Sequence, residues 1–170
     1  AVVHAAHGDA RLRLDRLTAV ADSLYASGQP DSAAAVGRRA VEAARQSGDR
    51  AAQIAAYASL GVYLRSGGHT ADALRSYEQG LNLATGAQLA DSATAENVAT
   101  LYVNLATLYL DEGQHGQALT YARKVAGMDD RLKSEAFRRQ LYPVVASIFL
   151  LNHLDTEAEV YLRRSLELAR

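Results

Sequence analysis

The sequence predicts an all-α chain built from four helix–turn–helix pairs, and three observations carry that expectation. Alanine is abundant, runs of β-branched residues are absent, and the two prolines are Pro30 and Pro143, a composition that favours helix over strand. One stretch comes back four times, opening at Leu17, Tyr57, Tyr102 and Tyr142, that is, at intervals of 40, 45 and 40 residues. Each copy places small residues at the same two points, and three of the four place a glycine between them.

The elements follow in order from that pattern. After the opening residue comes an apolar–small pair, Val20-Ala21, Leu60-Gly61, Leu105-Ala106 and Val145-Ala146, and then a bulky residue, Leu24, Leu64, Tyr109 or Phe149. Gly28, Gly68 and Gly113 come next, with His153 as the exception, and Ala33, Ala73, Ala118 and Ala158 complete the unit. Helix axes approach to about 8–10 Å where small side chains face each other, so these alanines and Gly61 mark the crossing of each pair. The glycines supply the left-handed residue that ends a helix, and Pro30 suits the start of the next. Gly48-Asp49 reads as a stop followed by a new start, with Asp49, Thr70 and either Asp91 or Ser92 as N-caps. The expected helices are 9–27, 31–47, 50–66, 71–85, 92–112, 116–128, 131–152 and 156–169. Pro143 falls inside the seventh, where an interior proline costs about 3 kcal/mol, so a kink or break is expected just before it.

The recurring unit resembles the tetratricopeptide repeat (TPR), and the resemblance covers nearly the whole chain. It implies a right-handed superhelix, an α-solenoid of four repeats, in a single domain spanning 1–170 with repeats over 9–48, 49–90, 91–129 and 130–170. The chain departs from the family pattern at Tyr121 and Tyr161, each one residue early, and at His153. Its spacing exceeds the roughly 34 residues of an ordinary repeat. The surplus lies before each first helix, as in the long repeats of kinesin light chains and of bacterial regulators and sensors. The opening residues, AVVHAAHGDAR, lack an initiator methionine and are too short and polar for a signal peptide, so the chain is expected to be a piece of a longer protein.

Composition excludes several functions. With 49% hydrophobic residues, 22% charged and a net charge of −1, the chain has no global field to draw in a nucleic-acid backbone. No apolar run approaches the roughly 20 residues of a membrane helix. The absence of cysteine removes disulfides, a thiolate nucleophile and thiolate metal sites, and leaves cytoplasm and periplasm equally open. No phosphate-binding glycine loop, zinc-protease helix motif, calcium loop or nucleophile elbow is present, so no enzyme and no cofactor is expected. His69, His115 and His153 all fall in the turns within repeats and are read as exposed polar turn residues rather than a metal-binding edge, as are His4 and His7 near the start. Tyrosines at core positions of the pattern are read as packing, leaving Tyr25 and Tyr63 freer to meet a ligand.

The resemblance also implies where a partner would lie. In TPR proteins the first helices line a concave groove, and the matching positions here include Thr18, Asp22 and Tyr25 in the first repeat, Ser59, Val62 and Arg65 in the second, Asn104 and Thr107 in the third, and Ser147 in the fourth. The chaperone-binding branch grips a carboxylate with a groove lysine; Thr18, Ala58, Val103 and Pro143 stand at that place, so this subclass is not expected. Asn104 matches an asparagine that bonds the backbone of an extended peptide in the family. The expected function is therefore a protein- or peptide-binding module, the interaction or sensor part of a bacterial regulatory protein. The alternative is a structural scaffold for homo-oligomers. Val160, Leu162, Leu166 and Leu168 are expected to leave an apolar stripe at the last helix, met by a second copy as a homodimer or by further helix.

Overall fold

The computed structural model describes residues 2–84 and 91–169, with side chains from Gly8 onward. Its helices are α1 (Val2–Ala26), α2 (Pro30–Ser47), α3 (Arg50–Ser66), α4 (Thr70–Leu83), α5 (Ser92–Asp111), α6 (His115–Ala126), α7 (Glu135–Leu151) and α8 (Asp155–Leu168). A 3-10 turn, Asp129–Arg131, precedes α7, and there is no strand among the described residues. The chain divides into two compact units, 1–85 and 86–170. In the first, α1 packs on α2, α2 on α3 and α3 on α4; in the second, α5 packs on α6, α6 on α7 and α7 on α8, and α5 also touches α7.

The turn inside each pair is built the same way four times. Gly28, Gly68 and Gly113 adopt φ of 74°, 80° and 71°, and His153 takes the same left-handed conformation at 58°. At each, two backbone bonds close a Schellman turn. In the first, the Gly28 N–H donates to the Tyr25 carbonyl and the Gln29 N–H to that of Leu24, both at 3.0 Å. His153 repeats this geometry to Leu150 and Phe149. The fourth repeat thus keeps the turn although its sequence lacks the glycine, at the strain a side chain brings to this region.

First and second helices start differently. Asp49, Asp91 and Ser134 cap α3, α5 and α7, accepting from the backbone N–H of Ala52, Thr94 and Phe137. The Asp91 carboxyl is held below the usual carboxylate range by the backbone and hydroxyl donors of Thr94. The second helices have no side-chain cap; they run straight out of the Schellman turn. Thr70 is accordingly the first residue of α4 and His69 its cap, which corrects the expected cap at Thr70.

The crossings lie where the small residues put them. Ala21, Ala106 and Ala146 are buried with Ala33, Ala73, Ala118 and Ala158. At Gly61 the ring of Tyr77 occupies the space a side chain would need: a Cβ there would lie 2.2 Å from Tyr77 Cε1. That contact explains the early tyrosines of the later repeats. Where alanine replaces Gly61, as at Ala106 and Ala146, there is no room for the ring. Tyr121 and Tyr161 instead turn aside, Tyr121 stacking on Tyr109 at 5.7 Å and Tyr161 meeting Tyr142 edge-on at 5.4 Å between ring centres.

Two boundaries differ from expectation by more than two residues. α1 begins at Val2 rather than 9, because the alanine-rich start continues the helix. α7 begins at Glu135 rather than 131, because the 3-10 turn and the Ser134 cap intervene. It then runs unbroken through Pro143, where a kink or break was expected. Leu141, Tyr142, Val145 and Ala146 are all buried around that proline, and their packing outweighs the lost bond. The expected end of the fourth helix at 85 lies outside the described residues.

Candidate functional site

Two first-helix surfaces carry the expected site residues, one in each unit. In the first unit α1 and α3 both rest on α2, and the wedge between them holds a pocket of about 370 Å³. Thr18 and Asp22 on α1 and Ser59 on α3 line it, together with Arg11, Leu14, Asp15, Ala19, Ala52, Ala55 and Ala56. The alanines make the pocket: side chains of ordinary size at these places would fill it.

Its polar wall is held in place. The Tyr63 hydroxyl donates to Asp22 Oδ1 at 2.5 Å, tying α3 to α1. Burial pushes the Tyr63 hydroxyl well above the ordinary tyrosine value, and the Asp22 carboxylate adds to the shift, so this donor keeps its proton. Arg11 reaches Asp15 at 3.4 Å and Asp49, the cap of α3, at 2.6 Å. With Arg11 engaged twice, Asp15 and Asp22 leave the pocket with an excess of negative charge.

Tyr63 corrects one expectation: it is 3% exposed and lies across Gly37, whose absent Cβ would come within 3.1 Å of its ring. It serves the site by fixing Asp22 rather than by meeting a ligand. Tyr25 is exposed, its ring 5.5 Å from that of Tyr63 and its hydroxyl accepting from Ser66 Oγ at 3.3 Å. Val62 and Arg65 are half-buried along α3 beyond the pocket.

In the second unit Asn104 and Thr107 lie on α5 and Ser147 on α7. The Thr107 and Ser147 hydroxyls donate back to the Val103 and Pro143 carbonyls, each at 2.9 Å, so both present acceptors outward. The Asn104 amide is half-buried and makes no hydrogen bond to any described residue. Sequence reasoning missed Arg11, and its signal was the Arg11–Asp15 spacing of four residues on one helix face.

The turn histidines do not converge. His69 Nε2 lies 2.9 Å from Asp31 Oδ1, while His115 and His153 are exposed. Among the described residues no group of three or more His, Asp or Glu is placed to hold a metal ion, and no helix is long and apolar enough to cross a membrane. The side chains of His4 and His7 lie outside the described residues.

Comparison with known proteins agrees with the repeat pattern. Family models described as Tetratricopeptide repeat match residues 8–86 and 99–131. No curated protein matches the sequence. The crystal structure of BtubC (BKLC) from P. vanneervenii superposes with a TM-score of 0.71, covering 98% of this chain and 70% of that one at 21% identity. At that identity the likeness speaks to the fold alone, an all-α helical repeat. TPR repeats generally mediate protein–protein interaction and are generally not catalytic. With the repeats matched in both units, the chain belongs to the tetratricopeptide repeat family.

Proposed function

We propose that this chain is a peptide-binding module, the interaction or sensor part of a bacterial regulatory protein, and that it holds an extended segment along its first helices. The observation that carries the reading is the pocket between α1 and α3. It is concave, walled by alanines, and set with carboxylate and hydroxyl groups, and bonds between α1 and α3 fix Asp22 and Arg11 within it. Such a pocket admits a side chain rather than a flat protein surface. The excess negative charge of Asp15 and Asp22 favours a basic or donor-rich side chain there. In the second unit the unpaired Asn104 amide offers a donor and an acceptor to a peptide backbone. The repeat spacing of 40 and 45 residues supports the comparison with regulators.

Selection of peptides from a random display library on the immobilised chain tests the proposal. Enriched peptides are expected to carry lysine or arginine. They are expected to lose about tenfold in affinity or more, about 1.4 kcal/mol, against Ala55→Leu, which fills the pocket. No enrichment, or equal affinity for the filled variant, would reject it.

A further inference from the structure

Two helices expose apolar faces that, by register, belong inside a stack. On α8, Leu162 and Leu166 are 46% and 60% exposed. Their equivalents on α2 are Gly37 and Val41, both buried, with Gly37 lying against Leu60 and Tyr63 of α3. On α1, Val20 is 51% exposed and Leu12, two turns earlier on the same stripe, is 59% exposed. The equivalents of Val20 on α3 and α7 are Leu60 and Val145, at 7% and 0%. Within each unit the equivalent faces are covered: that of α2 by α3, and those of α3 and α7 by α2 and α6.

The α1 face is mainly basic, and the face of α8 carries acidic residues. Arg16 stands where α3 and α7 bury Ala56 and Leu141. Glu159 stands where α2 buries Ala34; its Oε1 accepts from Arg163 on the same helix at 2.5 and 3.0 Å, and both side chains are exposed. Three arginines, Arg13, Arg16 and Arg39, and one carboxylate, Asp9, line a cavity of about 460 Å³ on the α1 face with Leu12 and Leu17, while Asp155 is the first residue of α8. A large apolar residue and a charge in each register of a packing face are features of an interface.

We propose that a second copy of this chain covers both faces: α1 of one copy docks on α8 of the next in the register that α3 takes on α2. Leu162 then meets Val20, and Arg16 faces Glu159. The contact joins two different surfaces, so each docked copy still offers one of each, and association does not stop at a symmetric dimer. This contact does not involve the cleft between α1 and α3.

Sedimentation velocity on the 170-residue chain over a rising concentration series tests this, with Val20→Glu and Leu162→Glu/Leu166→Glu as variants. All three positions are exposed, and circular dichroism checks that the variants keep their helix. The wild type is expected to climb past twice its 18.2 kDa mass. Each variant alone is expected to stay monomeric, and an equimolar mixture of the two to form a heterodimer and stop there. A wild type that stays monomeric at every concentration would overturn the proposal. So would a Val20→Glu variant that dimerises as well as the wild type, because that is the behaviour of a symmetric contact through α8.

Discussion

Replacing Gly61 by alanine adds one methyl group where α3 meets the Tyr77 ring of α4. The new Cβ would lie 2.2, 2.5 and 2.7 Å from three ring carbons of Tyr77, a side chain with no exposure and no free direction in which to move. Relief requires α3 and α4 to part by more than an ångström, which also disturbs the Ser76 hydroxyl bond to the Tyr57 carbonyl, 2.8 Å long. Overpacking of this kind costs about 1–3 kcal/mol, and so fully enclosed a ring puts it at the upper end. Alanine recovers about 1 kcal/mol of helix propensity over glycine, leaving a net loss of about 2 kcal/mol. Denaturant unfolding monitored by circular dichroism measures it. The double-mutant cycle sharpens the test: once Tyr77→Ala has removed the ring, Gly61→Ala should stabilise by about 1 kcal/mol, a coupling of about 3 kcal/mol. A Gly61→Ala variant as stable as the wild type, or one equally damaged with and without the ring, would refute the crossing geometry.

Three further outcomes are expected. His153→Gly should raise the stability of the second unit, since left-handed strain of about 1–2 kcal/mol is relieved against about 0.5–1 kcal/mol of added chain entropy; unfolding free energies of the two proteins decide it. Asn104→Ala should weaken a selected peptide by about 0.5–1.5 kcal/mol with an unchanged unfolding curve, as read by titration calorimetry beside a denaturant series. Stability should fall as pH rises above 10.0, the ordinary tyrosine value. Burial raises the hydroxyls of Tyr63, Tyr102, Tyr142 and Tyr161, so the unfolded chain releases those protons first. Unfolding then becomes easier by up to about 1.4 kcal/mol per pH unit for each such group, and a flat stability profile through that range would contradict the burial of these rings.

The repeat was legible because its constraints are local and chemical. Turn glycines, crossing alanines and the Gly48-Asp49 junction each answer a backbone requirement that only a few residue types meet, so helix ends fell within a few residues of expectation at most boundaries. The break expected at Pro143 does not occur because the packing that holds α7 together through it is tertiary, and the sequence shows only the lost bond. Tyr63 was misread for a related reason. The space for its ring comes from Gly37 in the preceding repeat, and that pairing across 26 residues emerges only once α2 and α3 are superposed in register. The groove residues were named from the family pattern. The pocket, by contrast, depends on three alanines of α3, Ala52, Ala55 and Ala56, which in the sequence look like ordinary helix formers.

Chemical-shift mapping during titration with a selected basic peptide tests the binding reading most directly, because it reports position residue by residue. The account predicts that the largest backbone amide changes fall on the first helices α1 and α3, at Thr18, Asp22, Ala55 and Ser59. Changes concentrated instead on the second helices α2, α4, α6 and α8, or along the turns bearing His69, His115 and His153, would contradict it.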